Sequence, residues 1–323
     1  MGQMQAAGLY SPPPPPQTAP PAPSSPAKDD EPPAKEDKIE NPGDMETLTK
    51  RAKDMLPQPF DGCKLVLNKG LSQFFQTSHT IQLGSNIQPA QYQFGATYVG
   101  SSQISDREYR PVMMGDMSSN GSLVGMLIHQ YGNWRLKCNV QTDKSKWVVY
   151  QSTLDYIGSD YTASLTLGNP NLFQNTGVLV LQYLQSVTAR LSLGAEVLFQ
   201  KMPGMELSVL SLGANYRGID WEAIGKIGMH QWSLCYLHHA SDDLTLVAEF
   251  EGVPMQGESI LSVGYKYDLR KANVSFKGVV DTQWNVSCIV EKRLDPLPAT
   301  LTLSGLINHV SDKARFGIGF SLG

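Results

Sequence analysis

The sequence is short of charge and of long apolar runs. Charged residues make up 17 % of the 323 positions, below the ~25 % of ordinary soluble domains. The net charge of −4 favours neither nucleic acid nor an acidic surface as a partner. No apolar run approaches the ~18 residues that a membrane-spanning helix needs. This excludes helical spans but leaves strand-built spans open, because their strands are only half apolar.

The sequence also lacks the motifs of metal sites, catalysis and secretion. The four cysteines show no CxxC pair, which predicts free thiols: Cys63, Cys138, Cys235 and Cys288. The histidines between 230 and 239 lack ligand spacing with a carboxylate, and no G-x-S-x-G or phosphate loop is present. A basic region followed by an apolar core is missing from the N-terminus, so no secretory signal is predicted. We therefore expect no enzyme, no metal and no cofactor.

Proline and period divide the chain into three parts. Residues 1–43 hold 12 of the 21 prolines and are expected to be a disordered, partly polyproline tail. Apolar residues from Met45 to Met55 recur at helical spacing before Pro57, so residues 44–60 are expected to be a short helix and a linker. An isolated helix this short is marginal in water and must pack on something. Residues 61–323 change to a period of two.

Alternation with period two predicts an all-β fold of about nineteen strands. In residues 134–141 apolar and polar side chains alternate strictly, and residues 299–308 repeat the pattern. Turn signals such as 118–121 (SSNG) and 168–170 (GNP) separate such segments. The chain gives about fourteen residues to each strand and turn, which suits the ~9–11 residues of a tilted membrane strand. One of these strands is expected to begin near Pro111.

Two features favour a membrane barrel over a soluble β protein. The polar faces carry long charged side chains, as a water-filled pore requires, and aromatic residues lie near strand ends, as at a lipid–water interface. These aromatic residues are Tyr131, Trp134, Trp147, Tyr156, Tyr161, Trp221, Trp232 and Trp284. The last strand, with Phe316, Ile318, Phe320 and Leu322 on one face, would be an aggregating edge unless it pairs with the first strand.

Several stretches resemble one protein family. They are 41–43 (NPG), 67–72 (LNKGLS), 78–80 (SHT), 98–100 (YVG), 115–117 (GDM), 121–123 (GSL), 158–160 (GSD), 166–170 (TLGNP), 183–188 (YLQSVT) and 308–309 (NH). From about residue 41 to the end, the chain resembles the central pore-forming subunits of the protein translocase of the outer mitochondrial membrane, the TOM complex. The turn after Met117 departs from the family, because Ser118-Ser119 replaces an acidic start.

The resemblance implies a fold, a location and partners. It implies a nineteen-stranded mitochondrial porin-like barrel with parallel first and last strands and the N-terminal helix inside or near the pore. It also implies mitochondrial precursor proteins, receptor and small helical TOM subunits, a second copy of the chain and membrane lipid as partners. Mitochondrial barrels end in a sorting signal, which the C-terminus matches at Arg315, Gly317, Phe320 and Leu322.

The alternation assigns a set of charged residues to the water-facing wall. The pore-lining candidates are Arg135, Lys137, Asp155, Arg190, Glu196, Arg217, Glu222, Lys226, Glu249, Glu251, Lys266, Asp268, Lys277, Asp281, Glu291 and Arg293. Residues 61–323 carry 20 Lys and Arg against 21 Asp and Glu, because six bases and nine acids of the totals of 26 and 30 precede residue 61. This balance favours a conduit for unfolded precursor proteins. The alternatives are a metabolite channel of the voltage-dependent anion channel type, which a positive wall would serve better, and a soluble β-rich binding protein.

Overall fold

The computed structural model describes residues 41–84, 89–105, 108–144, 146–171, 176–255 and 257–323, with only the backbone described at 52, 101–105, 108 and 109. The predicted proline-rich tail comprises residues 1–43, and residues 1–40 of it lie outside the described residues. Among the described residues, no helix is long and apolar enough to cross a membrane.

The described residues form one α-helix, one 3₁₀ turn and nineteen strands. The helix is α1, Met45–Met55, and the 3₁₀ turn is Arg270–Ala272. The strands are β1 Gly62–Gly70, β2 Phe75–Leu83, β3 Gln91–Ser105, β4 Glu108–Ser118, β5 Leu123–Tyr131, β6 Trp134–Asp143, β7 Lys146–Ile157, β8 Tyr161–Asn171, β9 Thr176–Ser186, β10 Leu191–Met202, β11 Met205–Arg217, β12 Trp221–Gly228, β13 Trp232–His239, β14 Leu244–Val253, β15 Glu258–Leu269, β16 Val274–Asp281, β17 Asn285–Arg293, β18 Ala299–Asn308 and β19 Lys313–Leu322.

The strands close into a single barrel, which confirms the predicted fold and strand number. Each strand pairs antiparallel with its neighbours in the chain, and β1 pairs in parallel with β19 from Gly62↔Gly317 to Leu67↔Leu322. The closure removes both free edges of the sheet. The expected start near Pro111 is wrong by three residues, because β4 begins at Glu108 and continues its pairing with β3 through a bulge beyond Val99.

Side chains alternate between two faces of this wall, and the outer face carries the aromatic residues. Trp134, Tyr156, Tyr161 and Tyr183 form a continuous row, with ring centroids 4.9, 5.9 and 5.8 Å apart. Tyr216, Trp221 and Tyr236 form a second row of the same kind. Both rows lie at the rim formed by the turns that follow odd-numbered strands. An aromatic belt at one level of the wall matches a lipid–water interface.

Helix α1 lies inside the barrel. Its N-cap residue Asp44 contacts Lys137 on β6, and the backbone oxygen of Asp54, near its other end, accepts a hydrogen bond from Lys277 on β16. An 11-residue helix is ~16 Å long, whereas ten strand spacings cover ~48 Å of wall. Only a helix that crosses the interior can reach both strands, so the face it touches is the inner face.

Local sequence sets the ends of α1. The Thr47 hydroxyl accepts a hydrogen bond from the Asp44 backbone N–H at 3.1 Å and closes the first turn. Glu46 in the first turn and Lys53 in the last complement the helix dipole. Pro57 follows the C-cap residue Leu56 and cannot extend the helix. The helix expected between residues 44 and 56 is thereby confirmed, with those two residues as its caps.

Candidate functional site

The inner face of the barrel is the candidate site, and the structure places the sequence-predicted residues on it. All of these residues except Arg190 lie on strands, at the alternate positions that face the interior together with the contacts of α1. Arg190 lies instead in the turn between β9 and β10, where its backbone oxygen accepts a hydrogen bond from Arg217. The role of these residues as contacts of a passing chain remains a prediction.

A buried cluster of charges attaches the N-terminal end of α1 to the wall. Asp44 accepts hydrogen bonds from Lys137 at 2.7 Å and from Arg135 at 3.3 Å. Both bases also contact Asp155, at 3.2 and 3.0 Å. Asp155 is fully buried and Asp44 is 6 % exposed. Removing one partner of such a buried pair typically costs ~3–5 kcal/mol, so this Asp44 clamp fixes the start of the helix firmly.

The segment before the helix is anchored at one rim of the barrel. The Asn41 side-chain amide donates to the backbone oxygens of Gly158 and Tyr161, at 2.8 and 3.0 Å, and its carbonyl oxygen accepts from Thr162. Pro42 beside it is fully buried. These bonds hold the chain at the β7–β8 turn, so we call the rim formed by the turns after odd-numbered strands the Asn41 rim.

An apolar floor on the inner wall receives the helix. Met45 and Leu48 of α1 pack in one cluster with wall residues that are at most 6 % exposed: Leu184, Ile224, Cys235, Leu237 and Val247. Met45 reaches the wall over Gly194 and Gly213, which face each other on β10 and β11. A Cβ on Gly194 would lie 2.9 Å from the Met45 sulfur, so the close approach requires glycine there.

The C-terminal half of α1 is held more weakly, by exposed ion pairs. Lys53 contacts Glu251 on β14 at 2.9 Å, and Arg51 lies 3.9 Å from Glu222 on β12. The hydrogen bond that Lys53 donates to Glu251 raises the pKa of Lys53 above its ordinary value of 10.5. The attachment is therefore complete below pH 10.5 and is lost only as the pH rises through the higher pKa of the folded state. Exposed pairs contribute only ~0.2–1 kcal/mol each.

Several other charges of the inner wall are paired with each other. Lys226 contacts Glu196 at 2.8 Å, Lys266 contacts Asp268 at 2.9 Å, and Arg217 contacts Glu222 at 3.3 Å. Acids and bases thus alternate around the pore without a ring of one sign. Such a wall offers weak sites to both charges and a strong field to neither.

The structure adds an apolar strip that the sequence analysis missed. It lies on the inner face of β4 and β5 and consists of Val112, Met114, Val124, Met126 and Ile128, linked by the pairs Val112↔Ile128 and Met114↔Met126. Met114 and Val124 are 37 % and 43 % exposed. Helix contacts are found on β6 to β16, so the strip borders the open part of the pore. The sequence does contain a signal for this strip, because apolar residues occupy positions where the alternation predicts polar ones.

The same signal would have found the helix floor. Leu184, Ile224 and Val247 occupy inner-face positions on strands whose other inner residues are mainly polar or small. With Cys235 and Leu237 on β13, Ile224 and Val247 form a group on three neighbouring strands, β12 to β14, which indicates a covered patch. Among the described residues, no three His, Cys, Asp or Glu side chains are placed to hold a metal ion.

The Asp44 clamp predicts a specific pH response. Burial alone raises the pKa of Asp44, but the hydrogen bond and charge of Lys137, with the charge of Arg135, outweigh it and hold the pKa below 3.8. A lowered pKa stabilises the docked helix above pH 3.8, and this contribution is lost as the pH falls through the folded-state value. We expect open-channel current noise to stay constant from pH 7 to about pH 5 and to rise below pH 3.8.

The matched variant for this prediction is Asp44→Asn, which keeps the size of the side chain and removes its charge. Its current noise should be high throughout the pH range, because its clamp is already broken. Equal noise in the two proteins at pH 7, or a rise already at pH 6, would contradict the role given to Asp44.

Comparisons with known proteins agree on one family. The model of the eukaryotic porin family matches residues 41–317. The mitochondrial import receptor subunit TOM40 homolog of Xenopus laevis is 43 % identical over 290 residues, which are 90 % of this chain and 86 % of the relative. Its Homo sapiens counterpart is 44 % identical over 289 residues, 88 % and 79 % of the two chains. Human subunit TOM40B is 38 % identical over 291 residues, which are 90 % of this chain and 94 % of the relative.

Proposed function

The chain belongs to the eukaryotic porin family, among its TOM40 import receptor subunits, and from this we propose that its pore conducts unfolded precursor proteins across the mitochondrial outer membrane. The observation that carries the proposal is the inner wall, where paired charges, the apolar floor and the exposed apolar strip occur together. An unfolded chain presents basic, acidic and apolar side chains in turn. A wall with weak sites for each lets all of them pass and retains none.

The geometry suggests how the pore divides its space. Barrels of 16–18 strands already leave an aqueous channel, and α1 occupies only a cylinder ~10–12 Å across. Its contacts lie on β6 to β16, so the open passage runs beside β2 to β5. Inner-face residues there include Gln76, Ser78, Thr80 and Gln93 besides the apolar strip. Uncharged polar groups of this kind can exchange hydrogen bonds with a moving backbone without holding it.

The outer wall is the surface that the remaining proposed partners contact. Its exposed apolar side chains, such as Leu210, Leu212 and Val263, face lipid in a mitochondrial outer-membrane barrel. We assign to this face the contacts with receptor and small helical subunits of the import complex and with a second copy of the chain. Precursor proteins meet only the inner wall.

A metabolite channel of the voltage-dependent anion channel type is the alternative function. Attraction of small anionic metabolites would benefit from an unpaired positive wall. Here Lys226 and Lys266 face carboxylates within 3 Å, and residues 61–323 carry nearly equal numbers of acids and bases. These pairs favour polypeptide transport.

Single-channel recording in a planar bilayer tests the proposal. The full chain should conduct with cation preference, and a basic targeting peptide should block the current reversibly. An acidic peptide of the same length and hydrophobicity is the control and should block more weakly. Anion preference, together with indifference to both peptides, would contradict the proposal and support the metabolite channel.

A further inference from the structure

The resident helix α1 has the chemistry of the segments that the pore is proposed to carry. At about 100° per residue, Met45, Leu48 and Met55 form one apolar stripe, and Arg51 and Lys53 flank it on its two sides. The helix therefore combines an apolar face with basic edges. Basic amphipathic helices are also the targeting segments that the proposed function assigns to the substrate.

The wall beneath α1 complements both properties. The apolar floor takes the stripe, with Leu184 and Val247 each 1 % exposed. Carboxylates lie at the edges of this floor, where Glu222 faces Arg51 and Glu251 faces Lys53. A third carboxylate, Glu249, lies 9 % exposed directly opposite Cys235 in the strand register. An apolar surface edged by acids is what a basic amphipathic helix requires of a partner.

We propose that this floor with its acidic edges is a binding site for basic amphipathic targeting helices, and that α1 occupies it in their absence, with Met45 and Leu48 on the floor and its basic side chains at the edges. The inference rests on the proposed function and adds the place where the substrate binds. An incoming helix competes with α1 for the apolar floor and for Glu222 and Glu251. The resident helix thereby sets the minimum affinity that a targeting helix needs in order to bind.

The two ends of α1 differ in how firmly they are attached to the wall, as such competition requires. The N-terminal end is fixed by the buried Asp44 clamp and by Asn41 at the rim. The C-terminal half is held by the exposed pairs of Arg51 and Lys53, whose side chains are each 51 % exposed, and by the partly buried Met55 and Leu56. Displacement can therefore start at the Lys53 end while the clamp keeps the helix tethered, and α1 can return when the substrate leaves.

The matched variants Lys53→Glu and Lys50→Glu test the proposal. Both change the charge of the pore by the same amount and lie on the same helix. Lys53 contacts Glu251 at 2.9 Å, whereas the side chain of Lys50 is exposed and has no ion pair or hydrogen bond among the described residues. The measurement is the dissociation constant of reversible current block by a synthetic basic amphipathic peptide, in the full chain reconstituted in a planar bilayer.

Lys53→Glu should bind the peptide about threefold to tenfold more tightly than Lys50→Glu, because it replaces an exposed ion pair with repulsion and weakens the competitor. Equal block of the two variants would overturn the inference and leave the proposed function standing. Absence of block in both variants and in the unaltered chain would overturn the proposed function as well.

A second variant pair distinguishes competition from a general change in charge. Glu249→Gln removes a carboxylate of the proposed site that forms no ion pair with α1 among the described residues, so the resident helix keeps the pairs of Arg51 and Lys53. Glu291→Gln removes an inner-face carboxylate on β17, three strands from β14. Block by the peptide should weaken severalfold in Glu249→Gln relative to Glu291→Gln. Equal weakening would show that the peptide responds only to the total charge of the pore, which would overturn the proposal.

Discussion

Replacement of Gly317 with valine should reduce the yield of closed barrel by about tenfold or more, because overpacking costs ~1–3 kcal/mol even where neighbours can yield. Gly317 lies on the inner face of β19 and pairs with Gly62 at the seam where the barrel closes. A Cβ there would lie 2.8 Å from the ring of Phe60 and closer still to its backbone oxygen. The linker cannot move away easily, since the Phe60 N–H donates to Ser304 on β18 at 3.0 Å.

The control for this variant is Gly305→Val on the adjoining strand β18. Gly305 faces outward, and the nearest atoms to an added Cβ are 3.8 Å away, on Phe316. Its barrel should form normally. The measurement is the fraction of protein that refolds in detergent into a protease-resistant barrel. Equal yields of the two variants would contradict the account of the seam.

The predicted C-terminal sorting signal makes a different demand on the same strand. Arg315, Gly317, Phe320 and Leu322 match the signal in sequence, and the structure shows only that Phe320 and Leu322 share the outer face of β19. A signal read during insertion should make Phe320→Ala fail in mitochondria while it refolds in detergent. Gly317→Val should fail in both settings. The comparison separates recognition of the signal from closure of the barrel.

The fold followed from the sequence because its main signal is local. Strict alternation in β6 and β18 gives the strand faces, and turn residues give the boundaries. The closure of β19 on β1 was expected from an apolar last strand that cannot remain an edge, and the parallel direction of that pairing was expected from the family resemblance. Pro111 misled the prediction of β4, since proline removes a backbone donor and was interpreted as a strand start, although the pairing with β3 extends to Glu108.

The contents of the pore could not be derived in the same way. The Asp44 clamp joins residues about ninety positions apart, and nothing near Asp44 in the sequence indicates Arg135 and Lys137 as its partners. The floor under α1 comes from four strands, β9 and β12 to β14, whose inner faces meet only when the sheet forms. Alternation identifies the inner face of each strand, but the contacts across that face are set by the path of the helix.

The central claim is that an unfolded precursor passes along the inner wall beside the apolar strip. Two neighbouring residues of β5 test it most directly, because Met126 faces the pore and Leu127 faces lipid. The test uses mitochondria whose only TOM40 subunit is this chain without its four cysteines, and a precursor that is arrested in transit and carries thiol-reactive groups. The precursor should crosslink to Met126→Cys at least about tenfold more than to Leu127→Cys, because adjacent strand residues point to opposite faces. Equal crosslinking at the two positions, or crosslinking at Leu127→Cys alone, would contradict passage through the barrel.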